Sequence, residues 1–477
     1  MVYPQGLLDA LAREPGKPAF EHGPRVVTRG ETLELIGRLT VALRGAGLGP
    51  GDGVGIATGV TPEGWAAQVA AQVLGCRAVG VRPGLPAAHL RAVVADLAAV
   101  VVDEQGETPE LRAAATGAKI LPIGPSLPAY EDPVPQGRPE DIGWVVFTSG
   151  STGVPKGVAF SFAALGARGP EYRGPADWSA GDAYRRFLLF GTLTSAVMVM
   201  HLEACLLAGG TAVIPVALPD FPWVLPRLDI TAALMTVPRL YQVLDVLRGE
   251  DVDLSALRAL TVAGSPVTPG LMAEAFERIG PGLQQGYGQT ETGKLTILTA
   301  EDIARHPSAL GSVGRPLGLV SVEVREDSEV YVRTPTAFAG YWNNPDLTAT
   351  VLRDGWVRTQ DVGRLDADGF LHLTGRARDV VIVNAIIHYV GPIERALASG
   401  AGVDQAYVVG APDERTGEAM HAFVVASPGG SPDFGELRAL VAAELGEAAV
   451  PSTFRVIDSV PVAASGKPDK AALLLLL

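Results

Sequence analysis

Cysteine is nearly absent from this chain. Only Cys76 and Cys205 occur among 477 residues, both in apolar surroundings, which argues against a disulfide framework or a zinc site. They read as core thiols in a reducing compartment. Positive charge is also in short supply: 38 Lys and Arg stand against 52 Asp and Glu, for a formal net charge of −14. That balance argues against general affinity for nucleic acid or for an anionic membrane surface. Long apolar runs are missing too. The most apolar stretch, residues 193–218, is broken by His201, Glu203 and Gly209-Gly210 and fails as a membrane span. The run Leu473 to Leu477 is too short to span anything. The opening Met1-Val2-Tyr3-Pro4-Gln5-Gly6 lacks a basic start and an apolar run, so no secretory signal is expected and a cytoplasmic location is.

What is present is a globular composition, with 47% hydrophobic and 19% charged residues. The length suits two to four domains or subdomains. Residues 5–125 alternate helical patterns with short apolar strands at Val54-Gly55-Ile56-Ala57, Ala78-Val79-Gly80-Val81, Ala98 to Val102 and Lys119 to Pro122. Thr28 to Leu33 has the form of a capped helix start with Glu31 in the capping box. A second alternation follows: a strand at Phe187 to Phe190, a helical stretch through Leu207, and a strand at Thr211 to Val216. It continues with a strand at Ala232 to Thr236, a helix from Pro238 to Leu247 and a strand at Ala259 to Ala263. This order predicts two doubly wound, mostly parallel α/β subdomains. From about Gly311 the strands become short and alternating, as in a small β-barrel-like subdomain. The last hundred residues carry their own helix–strand pattern, enough for a small α+β domain. The expected division is 1–376 and 377–477.

The chemistry gathers first at Thr148-Ser149-Gly150-Ser151-Thr152-Gly153-Val154-Pro155-Lys156-Gly157, which follows the apolar strand Gly143 to Phe147. Glycines let backbone N–H groups crowd an anion, hydroxyls add donors, and the lysine adds a point charge. A loop of this kind at a strand end is suited to hold phosphate. The alternative is a flexible polar turn. It is not the Walker loop, in which the lysine follows the last glycine.

Thr-Ser-Gly-Ser-Thr-Gly-x-Pro-Lys-Gly resembles the phosphate loop of the adenylate-forming superfamily: acyl-CoA synthetases, peptide-synthetase adenylation domains and firefly luciferase. Three further stretches carry the resemblance in family order. In Gly286-Tyr287-Gly288-Gln289-Thr290-Glu291 it implies that Tyr287 lies against adenine, that Thr290 touches the α-phosphate and that Glu291 helps to hold Mg²⁺. Stacking needs an aromatic face, and a hard cation bridging phosphates needs carboxylate oxygen. In Trp356-Val357-Arg358-Thr359-Gln360-Asp361 it implies that Asp361 accepts from the ribose hydroxyls, although the family usually has glycine where Gln360 stands. Gly375-Arg376 matches the family's ribose- or phosphate-reaching arginine, and Arg378 falls at the hinge. In Ser465-Gly466-Lys467 it implies that Lys467 is the catalytic lysine, bridging the acid's carboxylate and the α-phosphate as negative charge builds. Ala263-Gly264-Ser265-Pro266, Gly311 to Pro316 and Gly340-Tyr341-Trp342-Asn343-Asn344-Pro345 add supporting matches. The acid pocket is expected around Phe190, Gly191, Met235, Pro238, Gly286 and Gly288.

Two departures bear on the acyl acceptor. The strand ending at Phe190 is followed by Gly191-Thr192-Leu193, where the family usually has an aromatic residue or histidine, and His201 lies further along. After Gly375-Arg376, many CoA ligases have a glycine that leaves room for pantetheine; this chain reads Val383-Asn384-Ala385-Ile386 there. The expected reaction is ATP- and Mg²⁺-dependent formation of an acyl-adenylate from a carboxylic acid, then transfer to CoA as a thioester. Direct transfer to an amine is the alternative, transfer to a separate carrier protein is also open, and a non-catalytic nucleotide-binding scaffold is the second alternative.

Overall fold

Alanine- and valine-rich segments set the first sheet. Gly53–Ala57 pairs in parallel with Arg77–Gly80 on one side and Ala99–Val102 on the other, and Lys119–Pro122 extends the sheet. Central parallel strands are covered on both faces, which is why they read as continuous apolar runs. The helix Pro62–Val73 covers one face; the Thr61 hydroxyl accepts from the Gly64 N–H at its start. Ile142–Thr148 then joins in parallel to Arg77–Gly80, and Lys156–Ser161 turns back antiparallel to it. The expected phosphate loop therefore connects the two arms of a hairpin. This computed structural model describes residues 2–82, 84–124, 126–148, 155–168, 183–264, 267–326, 328–377, 379–384, 386–413, 415–463 and 467–477.

The second sheet has nine strands. Its spatial order runs Arg315–Pro316, Gly293–Thr299, Leu283–Gln289, Ala259–Ala263, Ala232–Thr236, Arg186–Leu188, Thr211–Ile214, Pro18–His22, Arg25–Thr28. The last two strands come from the N-terminal stretch expected to belong wholly to the first alternation. Phe20 explains the exchange: it is fully buried, and its ring lies 5.6 Å from that of Trp65. Its strand pairs in parallel with Thr211–Ile214 and so ties the two sheets into one core. The helix Arg29–Gly45 follows directly, with the expected capping box: Thr28 Oγ1 accepts from the Glu31 N–H, and the Glu31 carboxylate accepts from the Thr28 N–H.

Short alternating strands build an antiparallel sheet from Ser321–Val324, Glu329–Arg333, Trp356–Leu365, Leu352–Arg353 and Leu371–Arg376. Beyond Arg376, a five-stranded sheet of Ile386–Tyr389, Val380–Val383, Gly417–Ala426, Val403–Asp413 and Thr453–Val456 packs on the helices Val390–Ala398 and Phe434–Leu445. The Arg395 guanidinium donates to the Thr374 carbonyl at 2.9 Å, and the Tyr241 hydroxyl to the Asp404 carbonyl at 3.0 Å. These bonds seat the C-terminal part on the larger one. Among the described residues no helix is long and apolar enough to cross a membrane.

Candidate active site

Two strand ends converge on one carboxylate. Asp361 lies in the middle of Trp356–Leu365, directly opposite Arg376, and is 3% exposed. Its Oδ1 accepts from Nε of Arg376 at 2.8 Å. Its Oδ2 accepts from the Tyr287 hydroxyl at 2.6 Å and from Nε2 of Gln289 at 2.7 Å. Gln289 also donates to the Thr359 carbonyl at 2.7 Å, which locks the amide's orientation. A buried carboxylate is tolerated when its lone pairs are filled this way. Burial first, and the Asp361 charge second, push the Tyr287 phenol well above its ordinary range. Gln360 has φ +59°, so the glycine usual at that position relieves a left-handed backbone that this chain imposes on a glutamine.

A second group lies around Glu291. Its Oε1 accepts from the Tyr341 hydroxyl at 2.7 Å, and its carbonyl accepts from the Phe338 N–H at 2.8 Å. Nζ of Lys156 stands 6.0 Å from the centre of the same tyrosine ring. Tyr341 thus brings the carboxylate and the loop lysine to one place. Thr148 bonds the Lys156 carbonyl through its hydroxyl at 3.4 Å across the hairpin. A cavity of about 270 Å³ opens here, lined by Phe147, Lys156, Tyr341 and Trp342 among others. Thr290 is half-buried between the two groups. Ser149, Gly150, Ser151, Thr152, Gly153, Ser265 and Arg378 lie outside the described residues.

Lys467 reaches this region from the far end of the chain. Two backbone bonds frame its loop: the Ala463 N–H donates to the Lys467 carbonyl, and the Asp469 N–H to the Pro461 carbonyl, both at 2.8 Å. The lysine is exposed and rests on the turn after Ala259–Ala263. A Cβ placed on Gly264, whose φ is +98°, would stand 3.6 Å from Cε of Lys467. Of the expected acid-pocket residues, Gly286 and Gly288 share the strand that carries Tyr287. A Cβ on Gly288 would stand 2.1 Å from the Gly293 carbonyl oxygen, so only glycine fits there. Phe190 lies just past its strand, with its ring 5.5 Å from that of Phe221, and Gly191 turns with φ +83°. Met235, paired in parallel with Val262, packs into the core with it and Leu240, and Pro238 sits half-buried in the first turn of Val237–Leu247.

Gln289 and Tyr341 lie inside stretches that the sequence singles out, yet nothing local marks them as partners of Asp361 and Glu291. Those contacts span 72 and 50 positions of chain.

The chain matches two known families: AMP-binding enzyme over residues 7–342, and AMP-binding enzyme C-terminal domain over residues 392–467. It is 30% identical to a feruloyl-CoA synthase of Amycolatopsis sp, over 95% of this chain and 94% of that one. It is 31% identical to the fatty acid–[acyl-carrier-protein] ligase ScoC of Streptomyces coeruleorubidus, over 95% and 92%. Among solved structures, the amide bond synthetase McbA from Marinactinospora thermotolerans superposes with a TM-score of 0.82 at 34% identity, covering 99% of both chains. On this full-length agreement the chain belongs to the AMP-binding enzyme family and is an ATP-dependent adenylate-forming ligase.

Proposed function

We propose that this enzyme joins a carboxylic acid to an amine, through an acyl-adenylate and without CoA. In the first step a carboxylate oxygen attacks the α-phosphorus of ATP and the bond to pyrophosphate breaks. In the second the amine nitrogen attacks the acyl carbon, the bond to AMP breaks and the nitrogen loses a proton. Asp361 and Arg376 hold the ribose, with Tyr287 against the adenine and Gly264-Ser265 closing its other side. The loop from Thr148 to Gly153, with Lys156, cradles the phosphates. Thr290 touches the α-phosphate. Glu291, with one oxygen already taken by Tyr341, suits Mg²⁺, an ion that takes one or two carboxylates and fills its remaining shell with phosphate oxygens and water. Held there, Mg²⁺ would supply positive charge to offset that of the phosphates. Lys467 bridges the two reacting anions as their charges merge.

One observation carries the choice of acceptor. The hairpin Val380–Val383 and Ile386–Tyr389 follows the junction between the two parts; Val383 pairs with Ile386, and Asn384 has φ +51°. Residues 380–389 contain neither lysine nor arginine. CoA brings phosphates that call for cations; a small amine does not. The likeness to an amide bond synthetase over the full length supports the same choice. CoA is the second reading, supported by the similarity to a feruloyl-CoA synthase. The test is a panel of acids with Mg-ATP, run with no acceptor, with simple amines, with CoA and with an acyl-carrier protein, reading pyrophosphate and product mass. Amide formed in the absence of CoA supports the proposal. Thioester formation alone overturns the acceptor, and the absence of acid-dependent pyrophosphate release overturns the adenylation itself.

A further inference from the structure

Tyr341, which donates to Glu291, is half of a dipeptide with two opposite attachments. The strand Gly340–Tyr341 pairs with Lys156–Ser161, Tyr341 standing opposite Val158. The next residue, Trp342, donates its backbone N–H to the Gly157 carbonyl at 2.7 Å. The approach is close: a Cβ on Gly157 would stand 3.1 Å from Cβ of Trp342. Successive side chains of an extended segment point to opposite sides. Tyr341 reaches Glu291 at 2.7 Å, and Trp342 reaches the loop before Ala99–Val102, 246 positions away in the chain.

Two charged residues receive the indole there. Asp96 Oδ2 accepts from Trp342 Nε1 at 2.7 Å. The Arg77 guanidinium lies over the face of the ring, its carbon 3.8 Å from the centroid, and its Nη2 stands 3.0 Å from the same Asp96 oxygen. Cation–π contact gains strength where the cation is desolvated, and Arg77 is 5% exposed. Gly53 leaves space for it: a Cβ there would stand 2.5 Å from Arg77 Nη2. Arg77 also opens the strand Arg77–Gly80, which pairs with Ile142–Thr148, the strand leading into the expected phosphate loop. The cavity of about 270 Å³ lies against both Tyr341 and Trp342, with Asp96 and Lys156 in its wall. A side chain beside a void lacks contacts on that side, so its orientation depends on directed bonds. No step of the adenylation chemistry uses Arg77 or Asp96.

We propose that Asp96 and Arg77 are positioning residues for Glu291, acting through Trp342 and Tyr341. Fixing the indole on one side fixes the phenol on the other, and the phenol sets the orientation of the Glu291 carboxylate. The bond from Trp342 to Gly157 seats the same dipeptide beside Lys156, so carboxylate and loop lysine keep one spacing. Outer partners of a metal-holding group tune its affinity in this way. The proposal rests on the reading of Glu291 as the Mg²⁺ carboxylate, and not on the identity of the acid or of the acyl acceptor.

The experiment uses the full chain and the α,β-methylene analogue of ATP, which cannot release pyrophosphate. Its affinity is measured by calorimetry with saturating Mg²⁺ and with EDTA, and the ratio of the two is the Mg²⁺-linked gain in binding. Removing an outer partner of a metal-holding group costs about 10–100-fold, and Asp96 stands one contact further out, so Asp96→Ala should lower the ratio at least about threefold. Affinity in EDTA should stay within about twofold of wild type, because only the metal-linked part is lost. Trp342→Phe, which keeps a ring over Arg77 but has no N–H, should lower the ratio less, and Arg77→Gln should act in the same direction. Asp96→Asn keeps an acceptor for the indole and should retain most of the ratio. It decides the question together with Trp342→Phe if Asp96→Ala fails to fold. Tyr341→Phe should also lower the ratio, and combining it with Asp96→Ala should add nothing further, because both act along one line of contacts. A ratio that Asp96→Ala and Trp342→Phe leave unchanged while the melting temperature falls overturns the proposal, as does full additivity with Tyr341→Phe. A wild-type ratio near one overturns the metal reading of Glu291 and the proposal with it.

Discussion

Asp361 and Lys467, both given roles in the function proposed above, are held in opposite ways. The carboxylate is 3% exposed and accepts from three donors on two different strands. The lysine is exposed and sits on a short loop near the chain's end, its aliphatic stem resting at Gly264. In its proposed role of holding the ribose through both half-reactions, Asp361 gains from being fixed, because fixed donors and acceptors need no reorganisation. In its proposed role, Lys467 is needed only while carboxylate and phosphate merge, and would arrive for one step and make room for the acceptor in the next. With the roles proposed above, the contrast between a buried network in the large part and an exposed lysine on the small one becomes a division of labour between ground-state and transition-state binding.

The sharpest way to break that contrast is Lys467→Ala. Loss of one preorganised contact to transition-state charge costs roughly 3–4 kcal/mol, or about 10²–10³ in rate. Acid-dependent pyrophosphate release should fall by that factor while ATP affinity, read by calorimetry, stays near wild type. A matching loss of ATP affinity would move Lys467 to the ground state. Asp361→Ala should do the reverse, raising KM for ATP about tenfold or more with a smaller change in kcat, because its contacts precede the reaction. The same change leaves Arg376, Gln289 and Tyr287 without their acceptor. It should therefore also destabilise the fold by about 2–3 kcal/mol, measurable as a lower denaturant midpoint.

Lys294 offers a milder, pH-dependent version of the contrast. Its folded-state pKa of about 8 lies below the ordinary 10.5. Between those values the unfolded chain holds a proton that the folded chain lacks, so its contribution to stability rises with pH; below 8 both states are charged and it is flat. The difference in unfolding free energy between wild type and Lys294→Met should shift toward wild type by up to about 1 kcal/mol from pH 7.5 to 9. The buried thiols and phenols, which titrate in the opposite sense, are common to both proteins and cancel. No shift in that difference would mean that Lys294 is better solvated than its surroundings indicate. The smallest effect belongs to Gln360→Gly. Relief of a left-handed backbone and the added freedom of the unfolded chain nearly offset each other. The melting temperature should rise slightly, by no more than about 1 kcal/mol in stability, with KM for ATP unchanged.

Much of this was legible in the sequence wherever the determinant is local. The Thr28–Glu31 capping box, the apolar runs of the parallel strands and the short motifs around Tyr287, Asp361 and Lys467 are short-range patterns. What escaped depends on pairing across long stretches of chain. Pro18–His22 joins the second sheet because it finds Thr211–Ile214, and no local periodicity records that. Gln289 and Tyr341 acquire roles only when Asp361 and Glu291 arrive from distant segments. Leu295 forms a bulge that pairs Gly288 with Lys294, and a one-residue register shift leaves no trace in composition. Gln360 was visible as a departure, but its meaning needed the backbone angle.

The most direct test bypasses the first half-reaction. Chemically synthesised acyl-adenylate and an amine are given to the Lys467→Ala protein with neither ATP nor CoA, and amide is followed by mass spectrometry. Amide formation within a few-fold of the wild-type rate is the expected result, because Lys467 serves adenylation and the amine needs no thiol. A loss as deep as that of pyrophosphate release, or discharge of the adenylate only when CoA is added, would contradict the account.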